Sequence, residues 1–331
     1  MKAIIPVAGA GTQLRPLTYT QPKPLIPVAG KPIISYILDN LQKVGVEEFI
    51  FVIGYLGEKI KDYIEDKYPD LKKEFITQEQ RFGTGHAIYT AKEFLKNTDD
   101  LFIYFGDTLV DMDFEKIINC PTSCFAIKKV DAPGGFGIVE FDVEGNVKRV
   151  VEKPKIPKSN MAIVGLYRIK EVAELLDALE KNIHNNIKSE GEFSLTDALM
   201  RMIEKGISFT GIEVENWYDC GKKETLLETN AIFLDREGYA SYDLPEYDNS
   251  IVIHPVSIGK NCKIINSIVG PHATIGSHVS IDSSIIQNSI IGNYASLKEV
   301  SLKNSVIGND TSIKGFRQSL NIGDNTEIDL S

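Results

Sequence analysis

Apolar and polar positions alternate in two different grammars along this chain. Up to about residue 240, short apolar runs that read as buried strands are followed by stretches with apolar residues at helical spacing. Residues 3 to 8 predict the first strand, and Ile33, Ile34, Ile37, Leu38 and Leu41 predict a helix over Pro32 to Val44, with Pro at its first turn. Phe49 to Ile53 and a helix from Glu58 to Tyr68 repeat the unit. A strand near Glu74 to Ile76, a helix from His86 to Leu95 and a strand from Leu101 to Phe105 continue it.

From Cys124 the alternation loosens into β segments at Phe125 to Lys129, Gly137 to Phe141, Val147 to Glu152 and Met161 to Arg168. Helices over Glu171 to Asn182 and Leu195 to Lys205 follow, the second capped by Ser194 or Thr196. A strand from Ile207 to Val214 and a helix from Thr225 to Leu234 close the series. Repeated strand and helix alternation predicts an α/β domain with a doubly wound, mostly parallel sheet.

After residue 250 aliphatic residues recur about every five or six positions, from Ile258, Ile264 and Val269 through Ile313, then Ile322 and Ile328, and Gly follows several of them. Neither helix nor strand has this period. A period near six is that of a parallel β-helix, whose short strands each send one aliphatic side chain inward. The expected domains are 1–240, a polar linker at 241–250, and a β-helix at 251–331. Its open ends and flat flank suit contact between copies, so a homo-oligomer is expected.

Composition narrows the reading. With 36 Lys and Arg against 46 Asp and Glu the net charge is −10, so broad nucleic-acid binding is not expected. Cys120, Cys124, Cys220 and Cys262 match no zinc spacing and are expected to be reduced thiols. The N-terminal apolar run is interrupted by Pro6 and Gly9, which fits neither a signal peptide nor a membrane span. A soluble cytoplasmic protein is the expectation.

Against this acidic background the stretch from Ile4 to Ile34 stands apart. It holds the Gly9-Ala10-Gly11-Thr12 turn, then Arg15, Lys23 and Lys31, and the first carboxylate of the chain is Asp39. Alone, Gly9-Ala10-Gly11 reads as an ordinary tight turn: Leu14 stands where a dinucleotide fingerprint needs its third Gly, and no P-loop is present. Joined to clustered cations, it suits phosphates. Asp107, closing a strand, and Asp219, in Trp-Tyr-Asp-Cys-Gly, are either turn residues or a pair able to hold Mg²⁺ beside substrate phosphates.

The motifs of the first 240 residues resemble those of the sugar-phosphate nucleotidyltransferases, the glucose-1-phosphate thymidylyltransferase and UDP-sugar pyrophosphorylase type. The opening signature is matched by Gly9, Gly11, Thr12, Leu14, Arg15, Pro16, Pro22, Lys23, Pro24, Pro27, Lys31 and Pro32. Gln78 with Phe82 to Ala87, then Gly106-Asp107, Phe136 to Val139, Val151 to Pro154, Ser159-Asn160, Gly191 to Asp197 and Trp217 to Gly221 follow in the family's order. The C-terminal repeat is similar to the left-handed hexapeptide β-helix.

That resemblance implies transfer of a nucleotidyl group from a nucleoside triphosphate, dTTP or UTP, to a sugar 1-phosphate, with Mg²⁺ on Asp107 and Asp219. It implies Val7, Gly9, Gly11, Thr12 and Lys31 along the nucleotide, Lys23 and Arg15 at the reacting phosphates, and Gln78, Gly83 and Thr84 at the base. Gly137, Glu152, Lys153 and Asn160 face the sugar phosphate, and Trp217 either walls that site or packs in a core or lid. Gln13 departs from the family, which has Arg there, so a catalytically weakened regulatory or sensing paralogue is an alternative. A second alternative is a bifunctional enzyme with acyltransferase activity on the β-helix, using His254, His272 or His278.

Overall fold

Why the N-terminal run becomes a central strand is plain from its burial: Ala3, Ile4 and Ile5 are wholly inaccessible, and a strand apolar on both faces must be covered on both. The computed structural model describes residues 1–315. Two units are separable, Met1–Thr229 and the residues from Asn230 onward.

The first unit begins with β1 (Lys2–Pro6), the hairpin β2 (Pro27–Val28) and β3 (Lys31–Pro32), α1 (Ile33–Lys43), β4 (Glu48–Ile53), α2 (Gly57–Lys67) and β5 (Lys72–Thr77). It continues with α3 (Thr84–Thr90), α4 (Lys92–Leu95), β6 (Leu101–Tyr104), β7 (Thr108–Asp111), α5 (Glu115–Ile118), β8 (Ser123–Lys129), β9 (Gly137–Phe141) and β10 (Val147–Glu152). Then come β11 (Met161–Ile169), α6 (Val172–His184), α7 (Leu195–Glu204), β12 (Phe209–Glu213) and β13 (Asn216–Asp219), and α8 (Lys223–Leu234) spans the boundary between the units. The helix expected over His86 to Leu95 is two helices, because Ala91 closes α3 with a tight turn onto the Ile88 carbonyl. β7 was not legible in the sequence; it exists by pairing with β13.

The large sheet runs β10-β9-β11-β6-β1-β4-β5, with β8 beside β11 and β12 beside β8. The part formed by β6, β1, β4 and β5 is parallel and doubly wound, as predicted. β11 runs antiparallel to β6, β8 and β9, making the whole sheet mixed. Gly165 (φ 86°) lies within the register shift between β11 and β8, and a Cβ there would meet the Phe105 ring at 3.0 Å. Since β1 and β6 are neighbours, the loops after them lie side by side at the carboxyl edge, where open α/β sheets bind ligands. Gly106 permits that approach: a Cβ there would sit 2.3 Å from Val7 Cγ1.

In the second unit twelve short strands, β14 (Ile251–Val252), β15 (Val256–Ile258), β16 (Lys263–Ile265), β17 (Ile268–Val269), β18 (Ala273–Ile275), β19 (Ser280–Asp282), β20 (Ile285–Gln287), β21 (Ile290–Ile291), β22 (Ser296–Lys298), β23 (Ser301–Lys303), β24 (Val306–Ile307) and β25 (Ser312–Lys314), form three parallel sheets. Pairing advances 17 residues per coil from Ile251 to Ile268 to Ile285, then 16 to Ser301, which is why the repeat drifts between five and six. Three four-stranded parallel sheets of this kind are consistent with a left-handed β-helix. The inward aliphatics, among them Ile264, Val269, Ile275, Ile281, Ile286, Ile291 and Leu297, form its core. Corners take positive φ, at Asn more often than at any other residue type, and Asn249 donates to Asn266 and Asn288 to Asn304, each at 2.8 Å. Ile322, Gly323 and Ile328 of the expected repeat lie outside the described residues.

His272 and His278 occupy positive-φ corners, and His254 and His278 stack on Tyr242 and Tyr294. The four cysteines are free thiols. Among the described residues no helix is long and apolar enough to cross a membrane.

One buried charge pins the first unit together. Arg168 on β11 is 8% exposed, forks onto Asp100 at 2.8 and 2.7 Å, and spends Nη1 on the carbonyls of Ile117 and Ile118. Removing one partner of such a pair strands the other charge. Asp100→Ala is expected to lower unfolding stability by about 3 kcal/mol in a urea titration, with the transition midpoint rather than its slope moving.

Candidate active site

Local sequence builds the phosphate side first. After β1 the chain turns at Gly11, whose positive φ of 59° places its carbonyl to accept from Thr18 Oγ1 at 2.7 Å. A Cβ at Gly11 would lie 3.0 Å from Thr18 Cγ2 and 3.3 Å from Lys23 Cβ, so glycine keeps the turn close to Lys23. Lys23 follows Pro22 in a single 3₁₀ turn and reaches across to the loop after β6, with Nζ 2.7 Å from Asp107 Oδ2.

Two clefts open at this edge. The larger, about 750 Å³, is lined by Val7, Gly9, Gly11, Thr12, Gln13, Arg15, Lys23, Gln78, Gly83 and Thr84, with Arg81 and Glu192 on its walls. The smaller, about 340 Å³, is lined by Gly137, Glu152, Lys153, Ser194, Thr196 and Trp217. Thr84, Phe105, Asp107, Lys153, Glu192 and Asp219 line both, so the clefts meet at the two aspartates.

Charge at that junction is tightly arranged. Burial alone would lower the Lys23 pKa, but Asp107 and Asp219 outweigh it and the ammonium is held above its ordinary value. Asp219 is pushed up, chiefly by burial, with Asp107 adding repulsion and Lys23 opposing it. Its Oδ1 accepts the Gly221 N–H at 3.0 Å. Two carboxylates of which one is costly to ionise form a donor set suited to a divalent cation that takes further oxygens from phosphates. Among the described residues no group of three or more His, Cys, Asp or Glu offers a complete metal cage.

The sugar side is built from the start of α7. Ser194 caps that helix by accepting from the Thr196 N–H at 3.0 Å. Both hydroxyls donate to Glu152 Oε2, at 3.1 and 2.6 Å, fixing the carboxylate at the cleft wall. Lys153 adopts φ 40°, a strained conformation for a non-glycine residue that persists only where the surroundings enforce it. Its N–H is anchored on the Phe136 carbonyl at 3.1 Å, and its side chain reaches both clefts. Gly137 has to be small: a Cβ would lie 3.0 Å from Thr196 Oγ1 and 3.3 Å from Glu152 Oε2.

The fold thus gathers most residues singled out by sequence, but not all. Lys31 points elsewhere, bonded to Asp39 and lying over the Tyr36 ring at 4.7 Å. Asn160 is exposed and lines neither cleft, because its carbonyl is engaged by the Val130 N–H as the β8 and β11 ladder ends. Trp217 does wall the smaller cleft, edge-on to Phe136 at 4.7 Å. Arg81, Glu192, Ser194 and Thr196 were not assigned from sequence as site residues. The Ser-Leu-Thr run signalled a helix start, which masked its second use at Glu152.

With the geometry in place, comparison with known proteins is decisive. The family model for Nucleotidyl transferase matches residues 2–236. The chain belongs to that nucleotidyl transferase family. A relative is the bifunctional protein GlmU of Methanococcus maripaludis, 37% identical over 240 residues, covering 71% of this chain and 55% of that one. The chain therefore spans about half the length of the curated relatives it matches first. A glucose-1-phosphate thymidylyltransferase of Streptomyces antibioticus is 30% identical over 298 residues, covering 86% of this chain and 81% of the relative. A solved UDP-glucose pyrophosphorylase complexed with UDP-glucose shares the fold, with TM-score 0.62 and 24% identity over 70% of this chain and 97% of that one.

Asp219 gives this member of the family a measurable trade-off. Because its folded pKa is raised, ionised Asp219 costs stability, fully so above that pKa and not at all below its unfolded value of about 4. Asp219→Asn, which keeps an oxygen for Gly221, should raise the thermal midpoint in metal-free buffer at neutral pH and lose that gain near pH 3. The same change should lower turnover by about a hundredfold.

Proposed function

We propose that the protein joins a sugar 1-phosphate to dTTP or UTP, forming a nucleotide-sugar and releasing pyrophosphate. One observation carries the reading: a larger cleft with a glycine turn and a smaller cleft with a fixed carboxylate meet at Asp107 and Asp219, with Lys23 of the larger cleft bonded to Asp107. Two phosphate-bearing substrates entering from the two sides would bring their reacting atoms together there.

In this reading the turn at Gly9, Gly11 and Thr12 lies along the triphosphate, with Val7 behind it. Gln78, Gly83 and Thr84 meet the base. Glu152 accepts from sugar hydroxyls, and Lys153 pairs with the sugar phosphate where the clefts join. A phosphate oxygen of the sugar forms a bond to the α-phosphorus as the bond to the bridging oxygen of the β-phosphate breaks, and pyrophosphate leaves with that electron pair. The protein contributes positioning and charge, not a covalent intermediate. A divalent cation, Mg²⁺ in our reading, would be held by Asp107 and Asp219 and would neutralise charge on the phosphate oxygens.

Asp107 engages Lys23 at 2.7 Å; with Asp107 and Asp219 positioned to hold the cation, the Lys23 ammonium would face the reacting phosphates. Arg15, over the Tyr19 ring at 5.0 Å and also lining the larger cleft, supplies further positive charge. Gln13 stands on the same wall and offers only a neutral donor. The reading retains a cytoplasmic homo-oligomer with a nucleotidyltransferase domain at 1–240, a linker at 241–250 and a β-helix domain at 251–331.

Pyrophosphate release should be assayed with four nucleoside triphosphates crossed with glucose-, mannose-, galactose- and N-acetylglucosamine 1-phosphates in the presence of Mg²⁺. Turnover is expected with dTTP or UTP, and silence across the whole panel would refute the proposal. Gln13→Arg should raise kcat by about tenfold or more, the worth of a charge-assisted contact in a dry site. An unchanged kcat in a wild type that is already fast would show that Arg15 and Lys23 suffice, and would exclude a weakened regulatory paralogue.

A further inference from the structure

The carboxamide of Gln78 is buried and its direction is fixed by two partners, one of which, His86, lies outside the cleft lining. Nε2 lies 3.2 Å from the Gly83 carbonyl and 2.9 Å from Nδ1 of His86. A carbonyl oxygen only accepts, so the Gly83 contact identifies the nitrogen end of the amide, and the shorter contact to His86 holds that end in place. Both Nε2 protons are then committed, and His86 Nδ1 has to accept, which requires a neutral ring carrying its proton on Nε2. The ring sits face to face with Phe193 (26° between planes) and edge-on to Phe82 at 5.4 Å. Lys188 Nζ lies over both phenyl rings, and Arg81 and Glu192 are the charged groups on the adjoining cleft wall. Burial in this surround lowers the His86 pKa.

We infer that His86 is a positioning residue that sets base selectivity, holding Gln78 so that its Oε1 alone faces the larger cleft. The inference rests on the nucleotidyl-transfer reading, which puts a base at Gln78. Oε1 is an acceptor, and the neighbouring Gly83 N–H is taken by no acceptor among the described residues. Acceptor beside donor complements the N–H and C=O that stand side by side on uracil and thymine. Cytosine offers the reverse, a bare ring nitrogen beside an amine. Discrimination between these pyrimidines would thus be set by a ring that does not itself line the cleft. A protonated His86 would bring Nδ1–H against Nε2–H, and rotating the amide to relieve this would forfeit the Gly83 bond.

The test compares wild type, His86→Phe and His86→Asn by equilibrium binding of UTP and CTP and by kcat/KM for each. Phe keeps the ring packing without an acceptor; Asn can place Oδ1 near the position of Nδ1. Wild type should favour UTP, His86→Phe should lose about tenfold of the UTP over CTP ratio, and His86→Asn should restore most of it. The wild-type KM for UTP should rise as pH falls below the ordinary histidine value of about 6.5, and that of His86→Asn should not. An unchanged ratio in a folded His86→Phe protein, a wild type indifferent between the bases, or a flat wild-type pH profile where His86→Phe fails to fold, would each overturn the inference. A wild type that discriminates in binding but turns over no sugar 1-phosphate would refute the proposed reaction and leave the role of His86 standing.

Discussion

The contact between Lys23 and Asp107 is the constraint on which the rest of the site depends. It joins the loop after β1 to the loop after β6 at the point where the two clefts meet, and it keeps a buried ammonium ionised. An isolated ammonium at that depth would tend to lose its proton. Nearby Asp219 adds negative charge at a cost to its own ionisation. Three charges that cannot all be satisfied by one another leave a place that a cation and a chain of phosphates would complete. Residual frustration of this sort is what a phosphoryl-transfer site requires, since its work is electrostatic.

Around that junction the polypeptide is tuned for close approach. Gly11, Gly106 and Gly137 stand where a methyl group would meet a side chain at 3.0 Å or less, and each lines the path between turn, aspartates and Glu152. Lys153 carries a strained backbone, and Glu152 is held by two hydroxyls from the beginning of α7. These features fix the walls before any ligand arrives, so little ordering entropy remains to be spent on binding. The second unit works by a different principle, in which each coil is stable only because its neighbours supply both strand pairing and apolar cover. Gly259, Gly276 and Gly292 stack so closely that a Cβ on any one would meet the next coil within 2.8 Å.

Much of this was legible from residue order. The parallel strands β1, β4 and β6, the helices between them and the β-helix repeat announce themselves by periodicity, because burial of one face dictates which positions are apolar. The cations Arg15, Lys23 and Lys31 stood out against an acidic background, and Asp107 as a carboxylate closing a strand. Less visible was anything made by pairing across long separations: β7 and β13 are too short to signal alone, and Ser194 and Thr196 looked like helix-cap residues until Glu152 was seen beneath them. Lys31 shows the converse, a motif lysine whose bonded partner, Asp39, lies only eight residues on, along α1.

What the sequence determined by itself, then, is the set of elements, their order and the family to which they belong, all of which follow from local patterns of burial and from short motifs. Tertiary structure alone decided which polar atoms face each other. The pairing of Lys23 with Asp107 spans 84 residues, and that of Glu152 with Thr196 spans 44. The orientation of Gln78 depends on a carbonyl and an imidazole whose direction no periodicity encodes. Apolar burial is non-directional and leaves its mark in composition, whereas hydrogen bonds are directional and exist only once the chain has brought both partners to within about 3 Å.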